Sequence, residues 1–428
     1  MMGLIAALLA AASTRVLTLE EALRIARQRQ PQLRQAHAAS EAADARAGSA
    51  FSALLPQLSA TASYQRTTAN FINRPGSVPS SFSSAAGASN FDTFNFFSGN
   101  LAATQLLWDF GSAPNRWRAA RAQADSAENS ERATGLQITL GVRSAYFAAR
   151  ANRALVGVAQ ELLQNQERHL QQIEGFVKAG TRPDIDLAQA RTDAANARVV
   201  LIDAQNTYQT SKAQLNQTMG IEGPIDYEIA DESLPPLAGE DGELEPLLQE
   251  SFKARPEMVS LEQQVRAQLL TVKSIEGQYG PSLAASLGFT QGGTQVDHLK
   301  WNASAGLTLS WNLFQGGLTR SQVREAEANV AGAVAQLDQL RQQIRLEVDA
   351  ARLAVRSAKT TVGAAQEALT NARERLRLAE GRYQHGVGSV IELGDAQVAL
   401  TSAAAQAVQA DDRLATARAQ LAHALARE

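Results

Sequence analysis

The side chains able to do chemistry are few, and they are badly placed for covalent catalysis. The chain has no cysteine, which excludes disulfides, thiolate metal sites and cysteine nucleophiles. Its five histidines, His37, His169, His298, His385 and His423, are scattered, and no two share a metal-ligand spacing. No nucleophile sits beside a base and no phosphate loop is present, so the chain reads as neither an enzyme nor a cofactor carrier. The most pointed cluster is a set of carboxylates at two glycine-containing turns, VKAGTRPDID (Val177–Asp186) and HGVGSVIEL (His385–Leu393). Ser389 and Glu392 fit a capping box, and Asp184, Asp186 and Asp395 suit the positive end of a helix dipole. Gly180 and Gly386 suit helix ends that need a left-handed residue. On residue type alone these groups are structural.

A net charge of −3 and a pI near 6.1 give no basic field to hold nucleic acid. Aromatic residues make up only 5% and alanine is abundant, which favours close helix contacts over a bulky core. The apolar run Met2–Ala12 is too short to span a bilayer and reads as the core of a signal peptide, expected over residues 1–12, although no Lys or Arg precedes it. No other run is long and apolar enough for a transmembrane helix.

The turns belong to a duplicated framework. Leu107–Leu215 aligns without a gap on Leu313–Leu421 at an offset of 206, and an earlier block repeats at an offset of 225, with Pro31 on Pro256 and Pro56 on Pro281. The difference of 19 residues falls between about Gln65 and Gly99 and marks a loop. Two structural repeats are expected, 13–220 and 244–428, joined by a Pro- and Gly-rich linker over 221–243.

Within each repeat, long stretches carry apolar residues every 3.5 positions. The series Ile138, Val142, Ala145, Ala149 is matched by Ile344, Val348, Ala351, Val355. This is the signature of a left-handed coiled coil. Helices are expected over about 18–52, 113–178 and 184–217, then 318–384 and 390–425; the second alone would be roughly 100 Å long. Periodicity by itself would also suit a solitary coiled coil or a spacer rod.

Between the helices the period drops to two, with strands expected over about 56–66, 96–108, 281–291 and 301–313. In the last, Trp301, Ala303, Ala305, Leu307, Leu309, Trp311 and Leu313 alternate with small polar residues, as in a strand with one face in lipid. Trp301 and Trp311 would sit roughly 23 Å apart along the membrane normal, matching two aromatic girdles, with Trp108 a third girdle residue. A soluble sheet would carry Lys and Glu on its polar face, and here that face is uniformly small. Four strands leave open edges, which hydrocarbon does not tolerate, so several chains must close a barrel together.

The motifs LTLEEAL (Leu17–Leu23), QPQL (Gln30–Leu33) and RPEM (Arg255–Met258), with LWDFG (Leu107–Gly111) and LFQGG (Leu313–Gly317) where strand becomes helix, resemble the TolC-like outer-membrane efflux proteins. The resemblance covers nearly all the chain after the leader. It implies a mainly α fold with a membrane β-barrel part: a homotrimer in outer-membrane lipid, with a 12-stranded barrel and a periplasmic helical tunnel. It also implies a periplasmic adaptor and an inner-membrane pump as partners, in efflux or type I secretion, with no cofactor. The linker would join a belt around the tunnel, and the insertion from Thr67 to Phe94 would be an external loop rather than a plug. A soluble periplasmic adaptor or scaffold is the alternative reading, sharing the helices without membrane strands.

The same resemblance assigns roles at the turns. Gly180, Thr181, Gly386 and Val387 match the family's adaptor-contact motif. Asp186, Glu392 and Asp395 fall where family members place gate acids, and Tyr383 matches a tyrosine that latches the closed mouth. Where the family carries an arginine two residues after the second turn glycine, this chain has Gly388, and Arg182 takes that place in the first turn.

Overall fold

The computed structural model describes residues 15–68, 93–224, 226–385 and 387–427. The expected signal peptide over 1–12 lies outside them, as do most of the insertion, residues 69–92, and Gly386.

Chain order is β1 (Arg15–Leu17), α1 (Leu19–Arg29), α2 (Pro31–Ser52), β2 (Gln57–Thr68), β3 (Thr93–Trp108), α3 (Ser112–Lys178) and α4 (Asp184–Met219). There follow β4 (Tyr227–Ile229), α5 (Leu244–Ala254), α6 (Pro256–Glu276), β5 (Ser282–Gly293), β6 (Lys300–Ser310), α7 (Leu318–Gln384) and α8 (Val390–Ala424). The duplication is carried by the elements themselves: α1, α2 and β2 recur as α5, α6 and β5 at 225 residues, and α3 recurs as α7 at 206. Among the described residues no helix is long and apolar enough to cross a membrane.

The single helix expected over 18–52 is two. Gln30 is extended at φ −62, ψ 119, because Pro31 clashes with a helical residue before it and brings no N–H of its own. The same break falls at Arg255 before Pro256. The expected final strand over 301–313 ends at Ser310, so Trp311 and Leu313 follow it in irregular chain that turns at Gly316 and Gly317, both with positive φ. The linker holds β4, which pairs in parallel with β1, Val16 opposite Glu228.

The chain divides into two compact units. The first comprises Met1–Ala39, Glu128–Ser260 and Leu337–Glu428. Its largest core gathers Leu17, Val142, Tyr146, Phe147, Leu215, Met219 and Ile229, and the Tyr146 hydroxyl donates to the carbonyls of Leu17 and Ala230. A second core joins both hairpins near their turns through Ile173, Ala190, Leu376, Ala379, Tyr383, Leu393 and Ala396. The other unit, Ser40–Ala127 with Leu261–Gln336, holds a four-stranded antiparallel sheet in the order β2-β3-β5-β6. Its helices meet through alanines, Ala43 and Ala47 against Ala124, where small side chains let backbones approach.

Candidate functional site

Two regions carry the candidate residues, the sheet and the hairpin turns. In the sheet, register decides the face. Leu58 stands opposite Ala103, Ala103 opposite Leu287 and Leu287 opposite Ala305. Alternation along strands then gathers Leu101, Phe289, Leu307 and Leu309 on that face, while Ser286, Ser304 and Gly306 take the other. Much of the apolar face is bare: Leu58 is 72% exposed, Leu307 70% and Leu309 66%. Simple alternation would put Leu107 on this face and Trp108 on the other. The ladder instead skips Leu107 between Leu106 and Trp108, and this bulge sets Trp108 opposite Leu283 on the apolar face.

Aromatic side chains collect at both ends of the strands. At the end away from the helices, Trp301 stacks on Phe289 with centroids 6.1 Å apart, and Tyr64 lies 5.0 Å from Phe97. At the helix end, Trp108 packs 4.9 Å from Phe110, and the Trp311 indole donates to the Tyr279 carbonyl at 3.0 Å. β2 and β6 are the edges, and within the described sheet neither has a strand on its outer side.

The turns sit in the other unit. Gly180, at φ +74, ends α3: its amide donates to Val177 and that of Thr181 to Phe176. The Thr181 hydroxyl also bonds the Phe176 carbonyl at 2.9 Å, so of the expected contact residues Gly180 and Thr181 first of all close a helix. In the second turn Val387 is 69% exposed, and the amides of Val387 and Gly388 both reach the Arg382 carbonyl at 3.0 Å. Gly386 lies outside the described residues.

The acids divide by environment. Ser389 caps α8 by accepting from the Glu392 amide at 3.0 Å, and the Glu392 carboxylate lies 3.6 Å from Arg382. Asp186 pairs with Arg182 at 3.7 Å. Asp395 is exposed and has no ion pair among the described residues.

Tyr383 is buried where the two hairpins meet. Its ring lies 5.5 Å from the Arg182 guanidinium and 5.8 Å from the His169 ring. Its hydroxyl has no hydrogen-bond partner, and burial pushes its pKa up, with Arg182 opposing. Burial holds His169 below the ordinary histidine range, so it is a neutral packing group at neutral pH. The arginine missing at Gly388 has a steric reason: a Cβ there would stand 2.9 Å from the Tyr383 amide nitrogen and 3.1 Å from Arg382. Sequence reasoning missed His169 and Arg382, since no spacing links them to partners in the other hairpin or across the turn. A metal-binding cluster of three or more His, Asp or Glu is absent among the described residues.

The sequence matches the family described as Outer membrane efflux protein over residues 22–221 and 247–427. It is 28% identical over 305 residues to Protein CyaE of Bordetella pertussis, covering 70% of this chain and 64% of that protein. It is 24% identical over 403 residues to outer membrane protein TolC of Escherichia coli, covering 88% of this chain and 76% of that one. Among solved structures, CusC superposes with a TM-score of 0.82 at 21% identity, over 96% of this chain and 92% of that chain.

Proposed function

Because the chain belongs to the outer membrane efflux protein family, we propose that it is a passive outer-membrane exit duct, its sheet in the membrane and its hairpins in the periplasm, three copies closing one conduit. The observation that carries this reading is the sheet: four strands with two open edges and an exposed apolar face between aromatic ends. A soluble protein does not leave such a surface to water, and hydrocarbon does not tolerate the open edges. The soluble adaptor or scaffold is disfavoured on the same ground.

The duplication supports the assembly. On α3, Phe147 is 1% exposed and lines a cleft shared with Val408 of α8. Their counterparts in the other repeat are bare: Leu353 on α7 is 51% exposed and Ile202 on α4 is 57% exposed. The same kind of contact is thus made once inside the chain and left open once. A ring in which α7 of one copy covers α4 of the next completes it, and such a head-to-tail contact closes when the rotation closes.

At the turns, Gly180, Thr181, Gly386 and Val387 meet a periplasmic adaptor that couples the duct to an inner-membrane pump. Asp186, Tyr383, Glu392 and Asp395 form the gate, where carboxylates from three copies repel one another and attract cations. The duct conducts rather than catalyses, and Trp108, Trp301 and Trp311 anchor it in outer-membrane lipid. CusC is named a cation efflux system protein and AprF of Pseudomonas aeruginosa an alkaline protease secretion protein; cargo is set by the pump, and the duct reading is the same for an efflux or a secretion system.

Membrane fractionation with native mass measurement tests the proposal. Recovery in outer membranes as a three-copy species is expected, and recovery as a soluble protein or a stable monomer in detergent overturns it.

A further inference from the structure

Phe110 adopts φ +56, a left-handed conformation that bulky residues rarely take. It is held there by its neighbours: a Cβ on Gly280 would lie 2.2 Å from the Phe110 ring, so the ring packs over bare backbone. Such strain persists only where the surroundings enforce it. The result is a platform at the helix end of the sheet, with Trp108, Phe110, Tyr279 and Trp311 each about half exposed. Leu313 and Phe314 extend it, 77% and 89% exposed.

Just beyond stand three arginines, Arg118 in the second turn of α3 and Arg320 and Arg324 at the start of α7. All are exposed, and none has an acidic partner within ion-pair distance among the described residues. Arg121, one turn further along α3, shows the contrast by pairing with Asp44 at 2.6 Å. Arg320 and Arg324 share a helix face with Glu327, which forms an ion pair with neither of them, while Glu325 points about 100° away from Arg324. Arg118 and Arg324 occupy the same position of the two repeats, at the 206-residue offset. Asp109, just after β3, is engaged in capping the amide of Ala113.

We propose that this girdle and its arginines are a docking surface for the phosphate headgroups of anionic phospholipids in the leaflet nearer the helices. The aromatic rings sit at the depth where headgroup meets acyl chain, and guanidinium forks placed one or two turns further along meet phosphate oxygens in pairs. Charge complementarity and continuity with the apolar band fix the occupant. The inference rests on the outer-membrane reading of the sheet.

The test uses the full chain in phosphatidylcholine vesicles with or without phosphatidylglycerol, read by thermal unfolding and by native mass measurement of retained lipid. Wild type is expected to retain phosphatidylglycerol and unfold at higher temperature in its presence. The triple variant R118Q/R320Q/R324Q loses that preference, by about fivefold in lipid partitioning per arginine removed, and R320K/R324K keeps part of it. Equal behaviour of wild type in both vesicles, or an unchanged preference in the triple variant, overturns the proposal. Equal stabilisation by inorganic phosphate in detergent also overturns it, by showing a soluble-anion site. A chain found in outer membranes yet indifferent to phosphatidylglycerol contradicts this inference alone; one that never enters membranes contradicts the duct.

Discussion

The Arg182 guanidinium lies 5.5 Å from the centroid of the Tyr383 ring, so the turn of the first hairpin clasps a helix of the second. The clasp acts through the ring face, because the Tyr383 hydroxyl bonds nothing. Tyr383→Phe should therefore leave basal conductance unchanged, whereas Arg182→Ala and Tyr383→Ala should raise it. A cation over a ring is worth about 0.5–1 kcal/mol at a partly exposed site, enough to shift a closed state several-fold. Planar-bilayer recordings of the three variants decide; a large rise for Tyr383→Phe would point to a hydroxyl latch instead.

Gly388→Arg, which gives the second turn the arginine that the family resemblance implies there, should weaken the tip rather than strengthen it. Its Cβ would meet Tyr383 and Arg382 backbone and side-chain atoms at 2.9–3.1 Å. Overpacking of this kind costs about 1–3 kcal/mol. Hydrogen exchange at the ends of α7 and α8 should speed up in the variant, and unchanged or slower exchange would refute the steric account.

Much of this framework was legible in the sequence, and the exceptions share a cause. The seams through Ile138 and Ile344 repeat a local pattern over many turns, whereas the helix expected over 18–52 breaks at Gln30 because Pro31 overrides the periodicity that runs through it. Trp108 faces the apolar side only because of a bulge after Leu106, which alternation cannot foresee. The pairing of Val16 with Glu228 joins two three-residue strands too short to carry a pattern. Arg182 stood out as a displaced residue, but that it lies over Tyr383 depends on packing between hairpins distant in sequence.

Glu240 couples the linker to both long helices of the second repeat, and its charge state should be visible in stability. It is buried, and although burial would raise its pKa, hydrogen bonds from Arg418, Lys359 and the Leu237 amide bring it down to about 2 from 4.5. A depressed carboxylate stabilises the fold above its unfolded pKa and loses that contribution as pH falls through its folded value. Urea midpoints should therefore drop between pH 4.5 and about 2. Glu240→Ala should cost about 1–3 kcal/mol at neutral pH, by leaving the half-buried Arg418 with only the Leu234 carbonyl as partner, and should flatten that acid limb. An identical pH profile in the variant would refute the assignment.

The open faces of α4 and α7 make a covalent test convenient, because the chain has no cysteine of its own. The double variant Ile202→Cys/Leu353→Cys should crosslink between copies under mild oxidation and yield a three-copy ladder. Crosslinks confined to single chains would contradict the proposed ring.

Of the three acids proposed for the gate, Asp395 alone lacks an ion pair among the described residues, while Asp186 and Glu392 lean on Arg182 and Arg382. Asp395→Asn should therefore reduce cation selectivity more than Asp186→Asn or Glu392→Gln, as reversal potentials under a salt gradient will show. Equal effects of the three would place the acids on the same footing.

Single-channel recording of the purified chain in planar bilayers tests the duct most directly. Discrete openings are predicted for wild type, with higher conductance once Asp186, Glu392 and Asp395 are all neutralised. A membrane-inserted chain that passes no ions at any voltage, or a neutralised variant with unchanged conductance, would contradict the account.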